Sequence, residues 1–165
     1  MLEEKKISIS IDGNPLHSFL QVMLKQVIND HHYFEISLDI EVGEAYATHS
    51  LEQAKNWLGK KVVIQMGENT FVGIATHVSL HRADGNHGCL LLTGYSNTFL
   101  LESDQTCASW LDKTLANIVS EICEKAGVTA QVSPEYTEKI EYECQYRESN
   151  FDFIRRLARQ YHEWL

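Results

Sequence analysis

The sequence predicts a mainly β protein with an α+β second part: a β-barrel over residues 1–102, followed by the start of a second, α/β subdomain over residues 103–165. Three observations lead there. "HYFEISLDIEV" alternates apolar and polar residues with a period of two, and strands of this kind recur at roughly ten-residue spacing across Gly- and Asn-containing links. Near Glu102 the apolar spacing changes to that of a helix.

Taken in order, "ISISI" at Ile7 to Ile11 is a strand, and "SFLQVMLKQVI" continues the strand character with weaker alternation. In "HYFEISLDIEV", Phe34, Ile36, Leu38, Ile40 and Val42 share one face and Glu35, Ser37, Asp39 and Glu41 the other. One face is therefore buried and the other wet or partnered. "LEQAKNWLG" interrupts the strands with a short helix, its apolar Leu51, Ala54 and Leu58 at helical spacing, Ser50 as N-cap and Gly59 just past the end. "KKVVIQM" and "FVGIATHVSLHR" form a hairpin through "GEN", with Val72, Ile74, Val78 and Leu80 pointing inward. Asp84-Gly85-Asn86 makes the next turn before "CLLLTGYSNTFLL" returns as a strand. A sandwich would use the same strands; a barrel is favoured because Gly73 and Gly94 stand where a closing strand bends.

The second part opens on "SWLDKTLANIVSEICEKAGV", read as a helix with Leu111, Leu115, Ile118, Val119, Ile122 and Ala126 as its stripe and Gly127 as its C-terminal cap. Short strands follow around "VTAQVS" and "IEYECQY". A last helix starts at Ser149, three residues before Asp152 in a capping-box pattern, and buries Phe153, Ile154, Leu157 and Tyr161.

Composition narrows the function. A net charge of -9 argues against nucleic acid, which needs clustered Lys and Arg; Arg155, Arg156 and Arg159 in "FIRRLAR" read as a solvated helix face or as ion-pair partners. No run reaches the roughly 18 apolar residues of a membrane span, and the N-terminus has no apolar signal region. Cys89, Cys107, Cys123 and Cys144 form no CxxC pair and are expected reduced, with Cys123 packed on a helix stripe.

Catalytic and metal motifs are not found. His31 and His32 are adjacent on a strand edge and point apart, and His77 and His81 stand roughly 13 Å apart along one strand face, too far for one ion; a site would need His77, His81 and His87 to converge across the hairpin. Glu35, Asp39 and Glu41 lie on an exposed face with no apolar pocket to raise a carboxyl pKa. "TGYSNT" around Ser96 departs from a GxSxG elbow, and "GNHG" opens no helix that would hold a phosphate. No catalytic residue, metal ligand or cofactor is assigned.

The stretch "YRESNFDFIRRLARQYHEWL", with "SDQTCASWLDKTLANIVSEIC" before it, resembles the VgrG family, the type VI secretion spike protein and its relatives among phage tail hub and late-control proteins. Tyr146, Arg147, Glu148, Ser149, Asn150, Phe151, Asp152, Phe153, Arg156, Leu157, Ala158 and Trp164 match the family's most recognisable segment; His162-Glu163 stands where the family often has Gly before the Trp. "FVGIATHVSLHRADGNHGCLLLTGYSNTFLLE" also looks like the first barrel of these hubs. The resemblance implies a tail-hub β-barrel, then the opening part of a second subdomain, as an N-terminal fragment of a longer protein. It implies a mechanical, non-enzymatic role: a homotrimer in the full-length protein, docked on a hexameric tail-tube protein, with possible effectors or adaptors, and no cofactor. It further implies assembly in the bacterial cytoplasm and delivery outside the cell or into a target cell, with no membrane insertion by this part. The polar face of Glu35, Ser37, Asp39 and Glu41 is a candidate contact surface. The alternative is a stand-alone small barrel that binds a peptide or sugar.

Overall fold

The computed structural model describes residues 7–40, 51–82, 88–102 and 104–165. The chain divides into two compact units, residues 1–26 with 31–97, and residues 27–30 with 98–165. In the first unit, strands β1 (Ile7–Ile11), β2 (Asn14–Leu16), β3 (Gln21–Lys25), β4 (Tyr33–Ile40), β5 (Lys61–Met66), β6 (Asn69–Arg82) and β7 (Gly88–Ser96) make one antiparallel sheet in the order β2-β1-β5-β6-β7-β4-β3. Among the described residues the expected barrel is realised as a curled half-barrel with β2 and β3 at its edges. The turn at Asp84-Gly85-Asn86, with His87, the proposed Ser50 cap, and Glu41 and Val42 lie outside the described residues.

Local chemistry sets the hairpins. Asp12 and Gly13 both take positive φ, 52° and 81°, in a two-residue loop between the paired Ile11 and Asn14, the backbone a type I′ turn demands. The sequence reading passed over this Asp-Gly signal and so missed β2. Gly67 (φ 62°) opens the two-residue turn between the paired Met66 and Asn69.

Strand β4 buries Phe34, Ile36 and Leu38 completely, as the alternation predicts. Strand β6 departs from its predicted phase. Its buried residues are Phe71, Gly73 and Ala75, while Val72 and Ile74 are half-buried and Leu80 is exposed. A bulge between Ala75 and His77 inserts one residue against β7. The bulge reverses the alternation, so Val78 packs on the core although it differs in parity from Ala75. Helix α1 (Leu51–Lys55) buries Ala54, but Trp57 rather than Leu58 packs on the core; Leu58 is exposed.

Gly73 and Gly94 make room for a core ring. Gly94 pairs directly with Phe34 across β7 and β4, and a methyl group on it would lie 2.6 Å from the Phe34 ring and collide with the Ile74 carbonyl oxygen. A methyl on Gly73 would come within 2.5 Å of the Tyr95 carbonyl oxygen and 3.1 Å of the same ring. The two glycines are the floor on which the largest fully buried side chain lies.

In the second unit, β8 (Thr106–Thr114) and β9 (Lys139–Glu148) form an antiparallel ribbon, with helices α2 (Leu115–Lys125) and α3 (Asn150–Gln160). Residues 109–114, read from the sequence as helix, are strand, and Leu111 is exposed rather than part of the stripe. The helix begins where Thr114 supplies a cap, its hydroxyl accepting from the Asn117 amide at 3.2 Å. It ends as predicted at Gly127 (φ 69°), where Gly127 N–H donates to the Glu124 carbonyl and Val128 N–H to the Cys123 carbonyl, the paired bonds of a Schellman motif. No strand forms at residues 128–133, where "VTAQVS" suggested one. Leu115, Ile118, Ile122, Cys123, Ile140, Phe153, Ile154 and Leu157 build this unit's own core.

Candidate assembly surfaces

The predicted motif is tied together by Arg156. Helix α3 starts at Ser149, whose hydroxyl accepts the Asp152 amide at 3.0 Å, and about two turns of helix carry Arg156 back over β9. There its guanidinium donates through Nη1 to Glu143 at 3.1 Å, through Nη2 to Glu148 at 3.0 Å and to the Cys144 carbonyl at 2.7 Å, with Nε 3.3 Å from both Glu148 oxygens. The Glu148 hydrogen bond, followed by that from Glu143, holds Arg156 above its ordinary pKa against the opposing effect of burial. A planar fork satisfies two carboxylates and a carbonyl at once, which a lysine could not do.

Around this knot the motif residues separate into three groups. Phe153 is fully buried, stacked on Trp110 (centroids 5.1 Å, planes 14° apart) with the Arg156 guanidinium 5.0 Å from its ring; Leu157 and Phe151 are also buried. Asp152 pairs with Arg155 on the first turn of the helix. Tyr146, Arg147 and Trp164 face outward, Trp164 being the most exposed large apolar residue described. The sequence reading did not single out Glu143 or Gln145, both buried polar groups. Gln145 donates to the Glu148 carbonyl and to Asn150 Oδ1, both at 3.1 Å. The signal was present: a strand-end Glu and Gln on the parity that faces the helix.

Arg147 sits in the left-handed region (φ 51°) at a bulge, the one residue of β9 skipped between the pairs Thr106–Glu148 and Cys107–Tyr146. A glycine would take this conformation without strain; arginine incurs roughly 1–2 kcal/mol. The bulge aims the Arg147 guanidinium across the exposed Tyr146 ring at 5.9 Å. Along the ribbon face turned away from the core the directly opposed pairs are Cys107–Tyr146, Ser109–Cys144 and Leu111–Tyr142. Those six residues carry no charge, and the exposed Asp112, Lys113 and Glu141 follow directly after the Leu111–Tyr142 pair; the Tyr142 phenol is pushed up in pKa chiefly by Cys144 beside it.

The first unit presents a second sheet face. Opposite the buried side of β4, β7 and β6, cross-strand rows run Tyr33–Tyr95–Ile74, Glu35–Thr93–His77, Ser37–Leu91–Ser79 and Asp39–Cys89–His81. Tyr33 donates to Glu35 at 3.1 Å and packs edge-on to Tyr95, with centroids 5.6 Å apart. Ser96, from the "TGYSNT" run, accepts the His32 amide at 3.1 Å, so its hydroxyl is a sheet fastening. His32 is lowered in pKa by burial and by His31 beside it. Among the described residues no three His, Cys, Asp or Glu side chains converge as a metal site.

The family described as Phage tail baseplate hub (GPD) matches residues 30–162 of this chain. Among solved structures, the chain resembles a prophage MuSo2 43 kDa tail protein from Shewanella oneidensis (TM-score 0.73, 13% identity), covering 96% of this chain and 50% of that one. It also resembles an E. coli component of the type VI secretion system with structural similarity to the T4 bacteriophage tail proteins gp27 and gp5 (TM-score 0.63, 16% identity, covering 91% and 42%). A tail protein from Neisseria meningitidis matches with TM-score 0.62 and 14% identity over 90% of this chain and 43% of that one. The chain thus spans half or less of the length of these structures. No protein of curated function matches it.

Proposed function

We propose, from the premise that this chain belongs to the phage tail baseplate hub family, that it is the scaffold joining the tube to the spike of a contractile injection apparatus, either a phage tail or a type VI secretion system. The observation that carries the proposal is the family match over residues 30–162, supported by a half-barrel unit followed by a ribbon-and-helix unit. In this reading the protein works by rigidity and by contact. Three copies form a ring, the ring seats on a hexameric tail-tube protein, and no chemical step is catalysed. The particle is assembled in the bacterial cytoplasm and leaves the cell with the apparatus, where effectors or adaptors can ride on it.

The physical requirement is a stiff sheet with surface left over for neighbours. The cores described above supply the stiffness, and the two sheet faces supply the surface. Immunogold electron microscopy of particles carrying an epitope-tagged copy tests the proposal. Label at one end of the tube is expected. Label spread along the tube or absent from particles, with a tagged chain that instead purifies with a bound peptide or sugar, would favour the small binding module.

A further inference from the structure

We infer that the outer face of the β8–β9 ribbon docks on the Glu35/Asp39 face of β4, β7 and β6 in a second copy of this chain. The inference rests on the hub reading for its biological setting, but its physical basis is separate.

Charge complementarity singles out the occupant. The ribbon's outer pairs, Cys107, Ser109, Leu111, Tyr142, Cys144 and Tyr146, are uncharged, and the cation at one end, Arg147, has no carboxylate partner among the described residues; the exposed Asp112, Lys113 and Glu141 follow at the other end. A chain of net charge -9 repels its copies over most of its surface, so copies meet where one side brings no acid. The rows of β4, β7 and β6 supply the counterpart. They hold Glu35 and Asp39 among hydroxyl and aromatic groups and carry no Lys or Arg over the four rows from Tyr33 to Asp39. Two lysines flank the first of these rows, Lys25 on β3 opposite Tyr33 and Lys61 on β5 opposite Ile74. Both surfaces are sheet faces, and sheets pack face to face about 10 Å apart.

The strain at Arg147 points the same way. A non-glycine residue held at φ 51° on an exposed bulge contributes nothing visible to its own unit's core, yet it presents an Arg over a Tyr, the residue types that anchor interfaces. Because two different surfaces meet, charge reversals on both sides can be combined in a single chain.

The test measures self-association of the 165-residue chain by sedimentation, together with the alkylation rate of the exposed Cys107, which the contact would cover. Arg147→Glu, and separately Glu35→Lys with Asp39→Lys, are each expected to weaken association about tenfold and to remove the concentration-dependent protection of Cys107. The chain carrying all three changes is expected to recover to near the original affinity. Arg147→Gly, which relieves the backbone, is expected to weaken association while raising stability, separating loss of contact from loss of fold. Association and Cys107 protection unaffected by the reversals, no association at all in the unaltered chain, or a triple variant as weak as the single reversals would each overturn the inference. End-of-tube label with failed charge rescue would leave the hub reading standing and this contact refuted.

Discussion

At the scale of single residues, the first unit depends on what is missing at position 94. Gly94→Ala puts a methyl group against the Ile74 carbonyl and the Phe34 ring, and no nearby flexible side chain can give way. Overpacking of this kind is expected to lower unfolding free energy by about 3 kcal/mol, read as a shift of the urea midpoint. Adding Phe34→Leu recovers only part, because the backbone collision with Ile74 persists. Arg156 is the corresponding residue of the second unit. Its side chain is 40% exposed while that of Glu143 is 9% exposed, so Arg156→Ala strands a buried carboxylate. Breaking a fully buried pair costs about 3–5 kcal/mol; with the arginine partly in water, about 2 kcal/mol is expected here. Arg156→Lys falls between, since an ammonium reaches fewer of the four acceptor atoms. Equal stability for Arg156→Ala and the original chain would show the knot to be ornamental.

At the scale of elements, caps decide where helices begin and end. Ser149→Ala removes the acceptor for the Asp152 amide and is expected to cost about 1 kcal/mol, while Ser149→Asp retains most of it; hydrogen exchange of the first turn of α3 is the sensitive readout. Both caps of the second unit's helices were visible as residue types, Ser149 before Asp152 and Gly127 after Lys125. The start of α2 was not. Leu111, Leu115, Ile118 and Ile122 fit a helical stripe as well as any real one, and the strand over Thr106–Thr114 exists because β9, which starts only at Lys139, pairs with it. A similar tertiary decision reverses the faces of β6: the bulge at Thr76 leaves no mark in composition, so a strict period of two misassigns Val72 and Ile74.

At the scale of the whole molecule, stability comes from two apolar cores and buried polar contacts, and among the described residues no three His, Cys, Asp or Glu side chains gather as a metal site. Thermal unfolding is therefore expected to keep its midpoint after exhaustive dialysis against a chelator; a fall of several degrees would mean that an ion binds the folded chain and stabilises it. The sequence by itself determined the class of fold, the alternation of β4, the N-cap of α3 and the C-terminal end of α2, and the motif from Tyr146 to Leu157, because each of these rests on neighbours within a few residues or on a local period. Only the tertiary structure decided that Gly73 and Gly94 make room for Phe34, that Arg156 ties Glu143 to Glu148, and that Leu111, Tyr142 and Tyr146 share one face of the ribbon. Those depend on strand pairing and register, which bring together residues far apart in the chain and which no local pattern encodes.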